Sequence, residues 1–464
     1  MSTATQEKLD TGFETTGIER VPENERAHTQ LWDTMWLWWS ANSVVATVAL
    51  GALSFFFGLG FWGSVLVIVA FNVLGVLPVA FLSTLGPKTG LAQMPLSRFS
   101  FGYYGARLPA LFNALACIGW SAVNAVIGSS LLVAWSAGAI PFWAALLFLA
   151  TITTLVSVFG YFIVHRYERF AWIPMFLLFG YVFFAASSHF NVTIPASVTG
   201  MALFASIATF GGAVFGYAVG WSSYAADYTR RQPVDTPASR VFWYAFAGVV
   251  VPCILLETLG VLLTTTLPAG AELPSAGQLI SQNIGTGFVA SLVLLLLAFS
   301  TIANNVPNDY SFALSTQVLG LKGIRRWILT IVGAVLYIAV ALYVQNQFNA
   351  KLEGFLLLIA YWLGAWNAIV LVEHWMRRGS YPVDVYDQAQ QLPAGIAAVA
   401  SMVIGLGVAL LGINQAATIN FQGPLSRMLG GDNYGADIGF PLALVVTAVV
   451  YFILRRIELA RFKR

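Results

Sequence analysis

The sequence predicts an all-α protein that crosses a membrane many times, and three observations support this fold class. Only 9% of the 464 residues are charged and 58% are hydrophobic, whereas a soluble domain carries roughly 25% charged residues. Apolar runs recur along the whole chain, and the basic residues between them alternate in a regular way. A water-soluble enzyme, a nucleic-acid-binding protein and a disordered chain are all disfavoured by this composition.

The apolar runs are about 20 residues long, which is the length a helix needs to cross a bilayer. Twelve spans are predicted near residues 32–57, 61–86, 108–137, 142–164, 170–187, 200–226, 241–267, 286–319, 327–346, 354–375, 393–413 and 437–454. Residues 1–30 form a polar tail that lacks the basic start and apolar core of a signal peptide. The connections are too short for a soluble domain, so we expect one transmembrane domain over residues 31–460.

The basic residues support the even number of spans and predict the orientation. With both termini in the cytoplasm, 21 of the 23 Lys and Arg fall in the tails or the inner loops, and only Lys351 and Arg427 do not. Lys and Arg are retained on the cytoplasmic side of a membrane. We therefore expect a multi-pass protein of the plasma membrane, or of a bacterial inner membrane, with both ends inside.

Cysteine and histidine give no sign of a cofactor. Cys117 and Cys253 lie inside apolar runs, where free thiols pack as small hydrophobic groups. No two of the four histidines have the spacing of metal ligands. We expect no cofactor, and no metal beyond a possible sodium ion.

Spans 1 and 6 carry polar or flexible residues at mid-depth. Many secondary transporters place broken helices at equivalent positions of two inverted repeats, and with five spans per repeat, spans 1 and 6 are equivalent. Span 1 contains Ser40, Asn42 and Ser43, and span 6 contains four glycines interleaved with Tyr217 and Trp221. The alternative for span 6 is ordinary close packing of small residues.

In span 3, Trp120 and Asn124 are four residues apart and therefore share one face of the helix. A planar heterocycle could stack on the ring, while the amide would offer its edge both a donor and an acceptor. The alternative is a Trp packed within the bundle and an Asn bonded to a neighbouring helix.

Span 8 has the most polar interior. Its polar stretch contains Ser300, Thr301, Asn304, Asn305, Pro307, Asn308 and Asp309. Pro307 removes a backbone donor, and polar side chains at that depth are costly unless they face a cavity or partners. Since residues 312–319 are again largely apolar, this stretch is unlike the end of a span.

Buried carboxyl groups are few. Glu257 in span 7 and Asp309 in span 8 are the deepest, and each could carry a coupling proton or be a neutral acid bonded to a neighbouring helix. Asp227 and Glu373 each precede two arginines by a few residues, which predicts ion pairs at the membrane surface.

Several motifs resemble the purine–cytosine permease branch of the nucleobase–cation symporter family, and together they cover nearly the whole chain. The motifs are Gly17-Ile18-Glu19-Arg20-Val21-Pro22, Gly86-Pro87-Lys88-Thr89-Gly90, Gly119-Trp120 with Asn124, Gly220-Trp221-Ser222-Ser223-Tyr224-Ala225-Ala226-Asp227-Tyr228, and Asn304-Asn305-Val306-Pro307-Asn308-Asp309.

The resemblance implies twelve helices with the five-plus-five inverted repeat of the leucine-transporter type. The first repeat would cover residues 31–190, the second residues 199–378, and two extra spans residues 393–457. It also implies that a nucleobase is held between two aromatic rings and that amide side chains hydrogen-bond to the edge of the base. The substrate-binding residues would be Ser43, Trp120, Asn124, Trp221 or Tyr217, Pro307 and Asn308, to which we add Asn304 from the same polar stretch.

The coupling ion is open between Na⁺ and H⁺. Sodium-coupled relatives bind the ion between carbonyl groups of span 1 and a hydroxyl pair of span 8. The corresponding residues here would be Trp39 and Asn42 with Ser300 and Thr301. The spacing from that hydroxyl pair to Asn308 is longer than in those relatives, however, and fungal relatives are proton-coupled.

The sequence therefore predicts a secondary symporter, not an enzyme, that imports a neutral nucleobase by alternating access. Its expected partners are the base and the lipid bilayer, with no nucleic acid and no obligate protein partner. The main alternative is the same fold carrying another planar heterocycle such as allantoin, hydantoin, a pyridine or thiamine. A channel would need a filter-like ring of groups and a membrane enzyme a catalytic constellation, and the sequence contains neither.

Overall fold

Long apolar helices make up most of the chain in the computed structural model, which describes residues 17–462 apart from 160, 269 and 433. Keeping the numbers of the predicted spans, the helices are Trp32–Asn42 and Val45–Ala52 (span 1), Gly60–Ser83 (2), Arg107–Trp135 (3), Phe142–Phe159 (4), Tyr161–Ala186 (5), Gly200–Gly220 (6), Ala238–Thr264 (7), Phe288–Leu319 (8), Arg326–Val344 (9), Phe348–Met376 (10), Ile396–Ala409 (11) and Gly439–Phe462 (12).

The connections contain only short elements. Short α-helices cover Leu85–Thr89, Gln93–Leu96, Arg98–Gly105, Ala276–Asn283, Ala416–Ile419 and Pro424–Met428. Turns of 3₁₀-helix cover Glu23–Glu25, Leu53–Phe56, Ser187–His189, Trp221–Tyr228, Gln345–Gln347 and Val383–Val385. Two short antiparallel strands, Asn414–Gln415 and Phe421–Gln422, pair in the connection between spans 11 and 12.

The structure confirms an all-α polytopic membrane protein. By length and composition, eight helical stretches of the described chain could cross a membrane, or nine if the bent pair of span 1 is one span. In an apolar stretch of 18 residues within each helix, 72% of the residues are buried in Arg107–Trp135 but only 22% in Gly439–Phe462. Span 3 therefore lies at the centre of the bundle, and span 12 lies at its edge with many apolar side chains exposed, as a lipid-facing helix has.

The connection predicted between spans 4 and 5 is helical in the structure. The polar residues 165–169 had suggested a loop after residue 164, but they lie within the helix Tyr161–Ala186. The helical pattern therefore continues through these polar residues. The side chains of residues 159–169 lie outside the described part of the structure.

Span 1 is broken where its polar residues predict a break. Its two helices are bent by 57° relative to each other, and the break lies at Ser43 and Val44, whose backbones are non-helical and extended. The Ser43 hydroxyl donates to the Trp39 carbonyl at 2.7 Å, and the Thr47 hydroxyl donates to the Asn42 carbonyl at 2.7 Å. The Trp39 carbonyl also accepts from the Ser43 backbone amide at 2.9 Å, so Thr47 is the residue of these two whose side chain satisfies a carbonyl group beside the break.

Span 6 changes its winding beyond the glycines instead of breaking among them. The α-helix runs unbroken to Gly220 and then continues as 3₁₀ turns over Trp221–Tyr228. A Cβ atom at Gly216 would lie 2.1 Å from the Leu356 carbonyl oxygen of span 10. This glycine therefore serves close helix packing, which was the alternative reading of the pattern.

Span 8 is one continuous helix of 32 residues with Pro307 inside it. Its polar stretch is therefore neither the end of a span nor a break. Asn304, Asn308 and Asp309 are all buried, so the helix carries them into the interior of the bundle.

A buried charge cluster joins spans 10 and 12 at the end of the bundle where both helices finish. The Arg455 guanidinium donates to both Glu373 oxygens at 3.0 Å and to Glu458 at 2.8 Å. Arg377 forms the predicted ion pair with Glu373 at 2.6 Å. The second Glu458 oxygen accepts from the Ile396 amide at the start of span 11. The cluster thus fixes spans 11 and 12 to span 10.

At the opposite end, Asp437 holds the start of span 12. Its carboxylate accepts from the Asn414 amide at 2.7 Å, from the Gly439 amide at 3.0 Å and from the Tyr361 hydroxyl of span 10. Its own amide donates to Thr209 of span 6 at 3.0 Å. Burial raises the pKa of Asp437 from 3.8 to about 6, while these hydrogen bonds to the carboxylate oppose the rise.

Removing the cation of the charge cluster should destabilise the protein strongly. In Arg455→Leu, Glu373 keeps Arg377 and the Tyr451 hydroxyl while Glu458 loses the Arg455 cation, and breaking one partner of a buried ion pair costs about 3–5 kcal/mol. Arg456→Leu removes the same charge from the exposed neighbouring position and serves as the control. Thermal unfolding in detergent should show a much lower Tm for Arg455→Leu only; equal Tm values would contradict the role given to the cluster.

The stability of the protein should depend on pH through Asp437. Because its pKa is higher in the folded protein than its ordinary value, the folded state binds the proton more tightly than the unfolded state does. The contribution is therefore fully present below pH 3.8 and is lost as the pH rises through about 6. In melts across this range, the parent should lose Tm relative to Asp437→Asn as the pH rises, and a constant difference would refute the assignment.

Candidate functional site

A small cavity lies where spans 3, 6 and 8 meet. Its volume is about 10 Å³, and its lining residues are Trp120, Tyr217, Gly220, Trp221, Tyr224, Asn304 and Asn308. None of the lining side chains is more than 6% exposed. The cavity therefore lies inside the bundle, and its lining consists of four aromatic rings, two amides and a glycine, with no charged side chain.

The aromatic rings form the walls of this cavity through edge-to-face contacts. The rings of Trp120 and Tyr217 lie 5.4 Å apart at 86°, and those of Trp221 and Tyr224 lie 5.6 Å apart at 82°. Phe355 of span 10 packs against Trp120 at 5.0 Å from outside the lining set. The two indole rings that the sequence predicted for stacking, Trp120 and Trp221, thus lie at one cavity.

Amide side chains link this cavity to the break in span 1. The Asn304 amide nitrogen donates to the Ala41 carbonyl at 2.6 Å, and its oxygen accepts from Asn124 at 2.6 Å. Only the nitrogen of an amide can donate to a carbonyl group, so the Ala41 carbonyl sets the orientation of both side chains. The Asn124 oxygen has no hydrogen-bond partner within the protein, which leaves it able to accept from a ligand.

Asn308 is held by its own helix and by Tyr224. Its amide nitrogen donates to the Asn304 carbonyl at 3.0 Å, and its oxygen accepts from the Tyr224 hydroxyl at 3.1 Å. Sequence reasoning did not single out Tyr224. In a 3₁₀-helix residues i and i+3 lie above one another, so the 3₁₀ winding after Gly220 brings Trp221 and Tyr224 to the same cavity.

The predicted substrate-binding residues fall into two groups. Trp120, Tyr217, Trp221, Asn304 and Asn308 line the cavity, and both candidate rings of span 6 are among them.

The other three do not line it. Asn124 lies one hydrogen bond behind Asn304. Ser43 bonds the Trp39 carbonyl, and the Pro307 carbonyl accepts from Tyr228 at 3.1 Å. A role for these three in binding the substrate stays a prediction.

The predicted sodium ligands are bonded within their own segments. The Trp39 and Asn42 carbonyl groups accept from the Ser43 and Thr47 hydroxyls of span 1. In span 8, the Ser300 and Thr301 hydroxyls donate to carbonyl groups one turn earlier, at 2.7 and 2.8 Å.

Thr301 packs towards span 3, because a Cβ atom at Gly128 would lie 2.6 Å from its hydroxyl oxygen. Within the described residues, no group of three His, Cys, Asp or Glu side chains could hold a metal ion.

The two deepest carboxyl groups are buried and do not line the cavity. Asp309 accepts from Ser157 at 2.9 Å and from Ser121 at 3.3 Å. One Glu257 oxygen accepts from Asn72 at 2.7 Å, and the other has no hydrogen-bond partner within the protein. The contacts of both groups are with neutral side chains, so each is a buried carboxyl group without an ion pair in the described chain.

The N-terminal segment around Gly17 packs against the residues that follow the 3₁₀ turns. The Arg230 guanidinium donates to the Gly17 carbonyl at 2.9 Å and to the Tyr310 hydroxyl at 2.9 Å. Asp227 accepts from Ser311 at 2.5 Å and from the Gln93 amide at 2.7 Å. Asp227 is therefore a buried part of the contact between spans 6 and 8, and not a group at the membrane surface.

Comparison with known proteins gives relatives along nearly the whole chain. The purine-cytosine permease fcyB of Emericella nidulans is 37% identical over 97% of this chain and 90% of its own length. The purine-cytosine permease FCY2 of Saccharomyces cerevisiae is 35% identical over 97% of this chain and 87% of its own length.

A solved structure shares the fold. Mhp1, a nucleobase-cation-symport-1 family transporter in a closed conformation with bromovinylhydantoin bound, superposes with a TM-score of 0.74 at 15% identity. The match covers 97% of this chain and 95% of that one. The two chains therefore have the same arrangement of helices.

Residues 20–428 match the family model described as permease for cytosine/purines, uracil, thiamine, allantoin. That range includes the broken span 1, all the cavity residues and both buried carboxyl groups. The chain is therefore a membrane permease and not an enzyme, and it belongs to the cytosine/purine permease family.

Proposed function

We propose that this permease is a secondary symporter that imports a neutral nucleobase, cytosine or a purine, together with a cation. The observation that carries the proposal is the cavity itself, which combines aromatic walls with two amides and excludes charged side chains. The flat faces of Trp120 and Trp221 suit a planar ring, and Asn304 and Asn308 suit its hydrogen-bonding edge.

The cavity must widen to admit a base. Its volume of about 10 Å³ is far below the roughly 300–1,000 Å³ of pockets for drug-sized molecules. The absence of a charged lining side chain favours a neutral ligand, because a charge buried without a partner is strongly unfavourable. The relatives named purine-cytosine permeases support the same class of substrate.

We further place the protein in the plasma membrane, or in a bacterial inner membrane, with twelve spans and both termini in the cytoplasm. Two shorter apolar helices, Phe142–Val158 and Ile396–Ala409, and the division of Arg326–Met376 into two helices support this count. The distribution of Lys and Arg supports the orientation.

Alternating access would open the cavity first to one side and then to the other. On one side, the N-terminal segment and the contacts of spans 6 and 8, such as Tyr228 with Pro307, would have to separate. On the other, Phe355 would have to leave Trp120. A base shifts this equilibrium only if it binds the closed form more tightly than the open forms, which ring contacts on both sides of a ligand would provide.

We propose that the coupling ion is a proton. Glu257 is a buried carboxyl group with one unpaired oxygen, and such a group can carry a proton. The oxygen atoms at the predicted sodium position are hydrogen-bonded within the protein. These bonds leave lone pairs on the oxygen atoms, so the proposal rests on the carboxyl group.

Glu257 is our candidate for the proton carrier. One of its oxygens is unpaired, and the carboxyl group lies close enough to Tyr217 and Cys253 to interact with them electrostatically. Tyr217 lines the cavity and its hydroxyl lies 2.7 Å from the Thr47 hydroxyl beside the break in span 1. Both Asp309 oxygens, in contrast, are bonded to serines, so Asp309 is better suited to a structural role.

Another planar heterocycle, such as uracil or allantoin, is the alternative substrate. The description of the family names both, and the unpaired Asn124 oxygen would accept from an N–H group of either. A thiamine-like cation is less compatible with this cavity, since no carboxylate lines it.

Uptake assays would test the substrate and the site together. Cells expressing the parent should accumulate labelled cytosine, adenine or hypoxanthine. Asn308→Ala should lose this uptake at unchanged membrane levels because it removes an amide that lines the cavity, and Asn124→Ala should lose it because Asn304 loses its amide partner. Asn113→Ala is the matched control, as Asn113 is a buried span 3 amide that bonds Ser315 away from the cavity. Preferential uptake of allantoin would favour the alternative, and normal uptake by both site variants would exclude this cavity.

The coupling proposal predicts uptake that needs no sodium and is abolished by a protonophore. Glu257→Gln should lose accumulation against a gradient yet retain exchange of internal for external base, because exchange requires no net movement of protons. Asp309→Asn is the matched comparison and should keep accumulation. Uptake that requires sodium, or accumulation that survives in Glu257→Gln, would refute the assignment.

A further inference from the structure

The side chain of Asn42 connects the break in span 1 to an aromatic wall of the cavity. Its amide oxygen accepts from the Trp221 indole nitrogen at 2.9 Å and from the Cys253 thiol at 3.3 Å. Its amide nitrogen donates to the Trp38 carbonyl at 2.8 Å. The side chain is fully buried, and all these partners belong to the protein, so Asn42 lies behind the cavity wall and not in the cavity.

The orientation of this amide is determined without ambiguity. The Trp38 carbonyl and the Trp221 indole N–H require a donor on one side and an acceptor on the other. The indole has no other hydrogen-bonding atom, and a buried N–H group without a partner is costly. The hydrogen bond to Asn42 is therefore the polar contact that holds the Trp221 ring. The centroids of the Trp221 and Trp38 rings lie 5.2 Å apart in an edge-to-face contact.

We propose that Asn42 is a positioning residue that holds the Trp221 ring in place for the base, and so makes the shape of the base site depend on the break in span 1. The proposal rests on the proposed function and assigns Asn42 a role other than that of a sodium ligand. Asn42 is the last residue of the first helix of span 1. A change in the bend at Ser43 and Val44 would therefore move the acceptor of the indole N–H.

The same break controls the amide side of the cavity. The Ala41 carbonyl, next to Asn42, accepts from Asn304, while Asn42 accepts from Trp221. Two consecutive residues of span 1 thus hold the stacking ring and the amide. The base site is complete only when both contacts exist, and this makes binding of the base depend on one conformation of span 1.

A double-mutant cycle separates this role from a general structural one. Asn42→Leu leaves the buried indole N–H without an acceptor and should weaken binding of the base about five- to hundredfold. Trp221→Phe keeps an aromatic face but removes the donor, and should weaken binding about two- to tenfold. The double variant should bind better than Asn42→Leu alone, because no unpaired N–H group remains.

Binding of labelled cytosine and adenine to the purified proteins in detergent measures this cycle. Rescue of Asn42→Leu by Trp221→Phe supports the proposal, whereas losses that multiply independently overturn it. Cys253→Ala is the matched control, since it removes only the longer hydrogen bond to the same oxygen and should bind like the parent.

The pH dependence of base binding by Asn42→Asp provides a second test of the proposal. A neutral carboxyl group has one donor and one acceptor, as the amide has, but a carboxylate has only acceptors. Binding by Asn42→Asp relative to the parent should therefore improve as the pH falls, while the ratio for Asn42→Leu stays constant. The same constant ratio for Asn42→Asp would overturn the proposal.

Melting temperatures of the parent, the two single variants and the double variant are measured without ligand. They separate a failure of the proposed function from a failure of the role given to Asn42. If the parent binds neither base, the proposed function fails, and the melting temperatures still test the contact. Coupling between Asn42 and Trp221 in these melts supports the positioning role. Additive effects refute it whatever the substrate is.

Discussion

Backbone carbonyl groups inside a membrane need hydrogen-bond donors, and the break in span 1 creates several carbonyl groups without donors of their own helix. The protein supplies the donors from side chains. Thr47 satisfies the Asn42 carbonyl from within span 1, and Asn304 satisfies the Ala41 carbonyl from span 8. In lipid, a broken helix is stable only where such partners or a cavity are present.

One of these partners also builds the cavity. The Asn304 amide donates to the Ala41 carbonyl, which faces span 8. The same side chain orients Asn124 and lines the cavity. Stabilisation of the break and construction of the cavity therefore share a side chain.

No charged side chain lines the cavity, and the buried charged groups lie in other parts of the bundle. Glu257 and Asp309 are not among the lining residues and are bonded to neutral side chains, whereas the ion pair of Glu373 and Arg455 joins spans 10 and 12. A neutral cavity suits a neutral base, and a buried carboxyl group outside it can exchange a proton without contacting the base.

The sequence by itself determined the fold class, the break in span 1 and most of the residues at the cavity. It could do so because placing a polar or charged group in lipid is unfavourable. This constraint determines the length of the apolar runs, the distribution of the basic residues and the few positions of polar residues inside apolar runs. Trp120, Trp221 and Asn308 were identified in this way, together with the resemblance to a family.

Only the tertiary structure decided how these residues act. The unbroken span 8, the 3₁₀ turns that place Tyr224 at the cavity and the contact of Asn42 with Trp221 depend on contacts between helices far apart in the chain. A single sequence shows which polar groups must find partners in the membrane. Which partner each one finds depends on how the helices pack.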